Sequence, residues 1–291
     1  MPPGWPPFQR SMWLIDVILD LLCLLLWMSW RTASASPANV PWHRTLLRTL
    51  RRAAPKTRLH WGYPAMLVAV LLLRGFFYAQ LGPALHWVPQ LDFDVLTIPF
   101  RSDRPGRMMM FSLLSFGQWL GGFYLWLLLL SALSKGVPEG NSFRHFVQAN
   151  LGWPDRLPSV VKLLLPIPVV TLLWAGAAWW FGRLGLMPSP VSVWHTAAQG
   201  LALSLGSLLL WQYLLAAVII LFLFHSYIFI GNSPFWEFIE GAGQTVLAPM
   251  RRLPLRWGKI DATPVIALAL VFVVAHHGAR AVETLFHRLA R

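Results

Sequence analysis

Residues 63–81 read YPAMLVAVLLLRGFFYAQL, nineteen residues whose only charge is Arg74. A run of about 20 apolar residues is the length an α-helix needs to cross a bilayer. Five more such runs follow from the same reading, at about Met12–Trp30, Met108–Ser134, Leu163–Phe181, Ala197–Gly231 and Thr263–His276. The runs lack the alternation of a transmembrane barrel, and an open strand in lipid would leave its backbone polar groups unsatisfied. The expectation is an all-α, polytopic transmembrane helical bundle of about six helices. The fifth run is too long for one perpendicular helix, so it tilts or starts outside the hydrocarbon. The sixth is short, and the tail after it can extend it. That tail spaces Val282, Leu285, Phe286 and Leu289 helically among Arg280, Arg288 and Arg291, the pattern of a helix lying along the outer surface.

Composition agrees with this reading. Of 291 residues, 56% are hydrophobic and 12% charged, with a mean hydropathy of +0.55. The charged share is about half that of a soluble domain. The formal charge of +13 lies mostly in connectors, which points to topology and anionic lipid headgroups and away from nucleic acid. Cys23 is the single cysteine, so internal disulfides and thiolate metal clusters are excluded. Ala33-Ser34-Ala35 resembles a signal-peptide cleavage site, but Asp16 and Asp20 interrupt the preceding apolar run, and the first helix is expected to be kept.

Lys and Arg fix an expected orientation. Connectors 31–62, 135–162 and 232–262 carry fifteen, against eight on the other side. The positive-inside rule puts those three connectors in the cytoplasm and both termini outside.

Two distant stretches repeat one another. Arg51-Arg52 and Arg251-Arg252 each precede a proline, Pro64 and Pro264, that opens an apolar run thirteen residues after the first arginine. Pro55 and Pro254 follow the arginine pairs. Ser29-Trp30 precedes Ser36-Pro37 by seven residues, as Ser226-Tyr227 precedes Ser233-Pro234. A third copy is suggested by Gly140-Asn141-Ser142-Phe143, which echoes Gly231-Asn232-Ser233-Pro234-Phe235 without the arginines. The chain then reads as helix–loop–helix hairpins over 1–81, 82–200 and 201–291.

The stretch from Asn232-Ser233-Pro234-Phe235 through Pro249-Met250-Arg251-Arg252-Leu253-Pro254 to Asp261-Ala262-Thr263-Pro264 resembles the YggT (YlmG-like) family. Thr263 stands where the family motif has Ser, and one apolar residue separates Arg252 from Pro254 where the motif has two. The C-terminal copy covers about 208–277. The N-terminal copy, about 12–80, diverges further, with Trp61 at the place of Asp261, and the middle region is an enlargement. The resemblance implies a multi-pass protein of the bacterial cytoplasmic membrane. Members of that family are linked to osmotic stress tolerance, to cell division or nucleoid distribution and, in a plastid branch, to haem attachment on a cytochrome b-type subunit. For this chain the resemblance implies a YggT-like membrane protein and no reaction.

The charges buried in the runs are the sharpest chemical feature, because ionisable groups in a bilayer are costly. Asp16 and Asp20 share a helix face. With the first two helices antiparallel, Asp20 and Arg74 fall at similar depth and are expected to pair, with Asp16 nearer the outer surface. The second copy has Ala217 and Val274 at the matching places, so the charges are absent there together, which favours a pair over a proton path.

Trp42, Leu46, Leu47 and Leu50 share a face opposite Arg44, Arg48, Arg51 and Arg52, as in an interfacial helix on anionic lipid. Asp261 is placed to cap the last helix. Gly117, Gly121 and Gly122 read as close helix packing. His86, His195, His276 and His277 fall in outer segments. Adjacent histidines face different ways on a helix, so interfacial roles are expected and no metal or cofactor is.

No nucleotide loop, metalloprotease helix or nucleophile motif is present, so no catalytic residue is expected. The functional expectation is a non-catalytic scaffold, assembly or stress-related membrane factor, contacting lipid and a membrane or cytoplasmic protein. A transporter or channel subunit is the alternative, and haem or cytochrome assembly is third.

Overall fold

The computed structural model describes residues 7–34, 61–84, 87–93, 97–102, 104–185, 192–228, 231, 233–250, 256–257 and 260–289. These hold six helical stretches long and apolar enough to cross a membrane: Met12–Thr32, Gly62–Ala84, Pro105–Gly136, Ser159–Arg183, Val193–Tyr227 and Thr263–Phe286. The chain is an all-α, multi-pass membrane protein.

The helices are α1 (Pro7–Ser34), α2 (Gly62–Ala84), α3 (Pro105–Leu133), α4 (Ser142–Leu151), α5 (Ser159–Leu164), α6 (Pro166–Arg183), α7 (Val193–Leu208), α8 (Trp211–Tyr227), α9 (Pro234–Leu247) and α10 (Thr263–Leu289). The short strands β1 (Gln90–Asp92) and β2 (Thr97–Pro99) lie between α2 and α3. β3 (Arg256–Trp257) and β4 (Ile260–Asp261) form an antiparallel hairpin ahead of α10. Two compact units result. One comprises Met1–Leu91 and Pro99–Leu120, the other Asp92–Ile98 and Gly121–Arg291.

In the first unit α1 and α2 are antiparallel. Moving down α1 from Cys23 to Leu26 and Trp27 matches moving back up α2 through Leu71 and Val70 to Leu67, with Phe116 of α3 closing the cluster. Gly75 and Gly82 let α2 approach the segment that leads into and begins α3. A Cβ on Gly75 would lie 2.9 Å from the Met109 Cα, and one on Gly82 would lie 2.4 Å from the Ser102 Cβ.

In the second unit the fifth stretch is not a single tilted rod. It breaks at Leu209–Leu210 into α7 and α8. The sequence holds no proline there, but serine hydroxyls compete for backbone acceptors. Ser204 and Ser207 donate to the carbonyls of Leu201 and Ser204, each at 2.7 Å. The Leu209 and Leu210 amides turn to carbonyls only three residues back, on Gly206 and Ser207. Two indoles staple the break. Trp126 Nε1 donates to the Leu210 carbonyl at 3.2 Å, and Trp211 Nε1 donates to the Leu125 carbonyl at 2.9 Å.

The fourth stretch begins earlier than the sequence suggested, at Ser159. It tolerates its prolines because α5 ends at Leu164, and Pro166 opens α6, where its missing amide costs nothing. The tail expected to lie along a surface continues α10 instead. Phe286 is buried with Trp174, Ala178, Ala202 and Leu203, and Val282 is buried too, while Leu285 stays exposed. The α3 glycines also depart from expectation, since a Cβ on Gly117, Gly121 or Gly122 would meet nothing within 4 Å.

The two loops that echo one another meet. Asn141 caps α4, accepting from the amides of Phe143 at 2.9 Å and Arg144 at 3.2 Å. Its Nδ2 donates to the Pro234 carbonyl at 2.7 Å, at the start of α9. Phe143 packs at a tilt against Phe238 and edge-on against Phe235, with ring centroids 4.7 and 5.9 Å apart.

Candidate functional site

The candidate site is a buried ionic cluster inside the first unit. Helical periodicity places Asp16 and Asp20 one turn apart on α1, and Arg74 and Tyr78 one turn apart on α2. Both pairs face α3, which contributes Ser115. Arg74 Nη1 donates to Asp20 Oδ1 at 2.6 Å. Its Nη2 reaches Asp16 Oδ1 at 2.8 Å, Ser115 Oγ at 3.1 Å and Asp20 Oδ2 at 3.3 Å. Ser115 Oγ in turn donates to Asp20 Oδ2 at 2.7 Å, and the Tyr78 hydroxyl donates to Asp16 Oδ1. One turn away, Ser112 Oγ donates to the Leu71 carbonyl at 2.9 Å, a second polar tie between α2 and α3.

Apolar layers close the cluster along the helices. On one side lie Cys23, Leu67, Leu71 and Phe116. On the other lies an aromatic group in which Tyr78 meets Trp87 edge-on at 5.0 Å and Phe111 packs on Phe100 at 5.7 Å. The guanidinium carbon of Arg74 sits 5.5 Å from the Tyr78 ring centroid and 5.7 Å from that of Phe111. Arg74 and Asp20 side chains are 0% and 1% exposed, whereas Asp16 keeps 17%. One guanidinium thus ties three helices together in a low-dielectric setting, where charge-assisted bonds are strong and unpaired charges are costly.

The sequence placed Asp16, Asp20 and Arg74 together, and the structure brings them together. It missed Tyr78 and Ser115. Tyr78 carries a legible signal, being four residues past Arg74, whereas nothing in the sequence aligns α3 with α1.

A second buried ion pair escaped the sequence reading entirely. Lys162, counted there as a connector charge, is 6% exposed, and its Nζ donates to Ser131 Oγ at 2.7 Å and lies 3.4 Å from Asp155 Oδ1. Ser131 Oγ donates to the same Asp155 oxygen at 2.5 Å. Lys162→Met is expected to lower stability by about 1–3 kcal/mol, because it strands a half-buried carboxylate. Asp155→Asn, which keeps an acceptor for Ser131, is expected to cost less. Thermal unfolding of the two variants in detergent measures the difference.

The residues of the repeated motif are placed as follows. Pro64 lies in the first turn of α2, Pro234 is the first residue of α9, and Pro249 is an exposed turn residue after it. Pro264 is the second residue of α10 and lines a cavity of about 190 Å³ with Phe222, Ser226, Tyr227, Leu247 and Thr263. Arg51, Arg52, Arg251, Arg252 and Pro254 lie outside the described residues, as does the proposed interfacial helix around Trp42 to Arg52. Asp261 is described only through its backbone, which pairs with Arg256 in the β3–β4 hairpin, so its capping role also lies outside what is described.

Of the histidines, His276 and His277 are adjacent on α10 with ring centroids 5.7 Å apart, and His195 contacts Gln199 one turn on at 3.0 Å. His86 lies outside the described residues. Among the described residues, no three His, Cys, Asp or Glu side chains come together to hold a metal. Compared with known proteins, the chain matches no family model, no curated protein and no solved structure.

Proposed function

We propose that this chain is a non-catalytic, YggT-like scaffold or assembly factor of a bacterial cytoplasmic membrane, with its arginine-rich connectors facing the cytoplasm. The observation that carries the reading is the use to which its intramembrane charges are put. Arg74, Asp20 and Asp16 bond to one another and to α3, so their interaction energy goes into joining helices. The repeated Arg-Arg-containing connectors are then the recognition elements, suited to anionic headgroups and to a protein partner. The motif at Pro234, Pro249, Arg251, Arg252, Pro254, Asp261 and Pro264 supports the family assignment.

Crosslinking and pulldown from native membranes tests this. A discrete partner is expected, lost when Arg251 and Arg252 are both changed to Ala while the protein level is unchanged. Reporter fusions are expected to place connectors 31–62 and 232–262 on the same, cytoplasmic, face. The excess of carboxylate over guanidinium in the cluster favours a second reading, a transporter or channel subunit. Ion flux in proteoliposomes that Asp20→Asn abolishes would put that reading first.

A further inference from the structure

The ionic cluster does not balance its charge. Two carboxylates, Asp16 and Asp20, face one guanidinium, Arg74. A net charge among largely buried side chains is costly, and a carboxyl so placed is cheaper as the neutral acid. The bonding shows which carboxyl is which. Asp20 accepts on both oxygens, from Arg74 Nη1 on Oδ1 and from Arg74 Nη2 and Ser115 on Oδ2, as a full carboxylate does. Asp16 accepts twice, but both donors, Arg74 Nη2 and the Tyr78 hydroxyl, fall on Oδ1. Among the described residues its Oδ2 takes no donor, and Asp16 is the member of the cluster that keeps exposure, at 17%.

We propose that the cluster is a binding site for one exchangeable proton, held on Oδ2 of Asp16. A proton from the aqueous phase joins the Asp16 carboxylate to give the neutral acid, leaving Asp20 and Arg74 as a balanced pair. The ionisable groups around Asp16 are Asp20 and, further along the same helix, Cys23, with Arg74 and Tyr78 from α2. α3 adds the hydroxyl of Ser115. Tyr78 donates to Oδ1 and leaves the proton on Oδ2 free to exchange at the partly exposed edge. The helix-joining role of Arg74 does not depend on the proton, so the proposal stands or falls apart from the scaffold reading.

Infrared difference spectroscopy of the full chain in lipid bilayers tests it directly. The wild-type protein is expected to show the C=O stretch of a protonated carboxylic acid at neutral pH, shifting in D₂O. Asp16→Asn is expected to lose the band completely. Asp20→Asn is expected to lose it too, because Asp16 then becomes the single carboxylate opposite Arg74. No protonated band in the wild type, or a band that survives either substitution, overturns the proposal. If Asp16→Asn does not fold, Asp16→Glu assigns the band instead: it keeps a carboxyl and is expected to move the C=O stretch, and a band that Asp16→Glu leaves unmoved overturns the proposal.

Discussion

Arg74→Leu is expected to be the most damaging single substitution in the described chain, costing about 3–5 kcal/mol, the range for removing one partner of a buried ion pair. It leaves Asp20, with a side chain 1% exposed, and Asp16 without the guanidinium that both of them accept from. It also removes the α2 donor to Ser115 of α3, leaving Ser115 its own bond to Asp20. The energy lies in stranding the carboxylates, and this makes the prediction sharp. The triple change Asp16→Leu, Asp20→Leu and Arg74→Leu removes every charge at once and is expected to recover most of the loss. Melting temperatures in detergent, together with the yield of monodisperse protein, separate the two variants. If the triple variant is no more stable than Arg74→Leu, the cluster is not acting as an ionic tie between helices.

The second large effect is expected at Gly200→Val. α6 and α7 pack so closely that a Cβ at Gly200 would stand 3.0 Å from the Thr171 carbonyl oxygen and 3.1 Å from its Cα. Two of the three nearest opposing atoms are backbone and the third is Thr171 Cγ2, so a rotamer change relieves only part of the crowding and the helices must shift apart by a few tenths of an ångström. Overpacking of this kind costs about 1–3 kcal/mol. Gly176→Val, on α6 itself, is the internal control, since a Cβ there meets nothing within 4 Å. Thermal unfolding is expected to show a drop for Gly200→Val and little change for Gly176→Val. Equal effects would mean that the loss reflects helix propensity and not the contact.

The same contrast runs through the glycines as a group. Gly117, Gly121 and Gly122 have the spacing of a packing motif in α3 and face open space, while Gly75, Gly82 and Gly200, with no motif around them, sit against neighbouring backbone or side chains. A small residue permits close approach, but its sequence does not say which helix approaches.

The sequence by itself determined the class of the protein and the existence of its ionic cluster. Long apolar runs admit only helices in lipid, and a lone arginine among them must find a carboxylate, which Asp16 and Asp20 supply at the depth an antiparallel hairpin dictates. Both follow from local length and one-dimensional spacing. Tertiary structure alone decided the rest. Ser115 joins the cluster because α3 happens to face Arg74, and Lys162 is buried because Ser131, thirty-one residues earlier on α3, meets it beside the nearby Asp155. The fifth stretch breaks where serines draw off backbone acceptors and two tryptophans hold the opened turn. The last helix runs on through its basic tail because Trp174, Ala202 and Leu203 offer Phe286 a surface. Each of these depends on which faces meet, and hydrophobic periodicity says that a face is buried without saying what buries it.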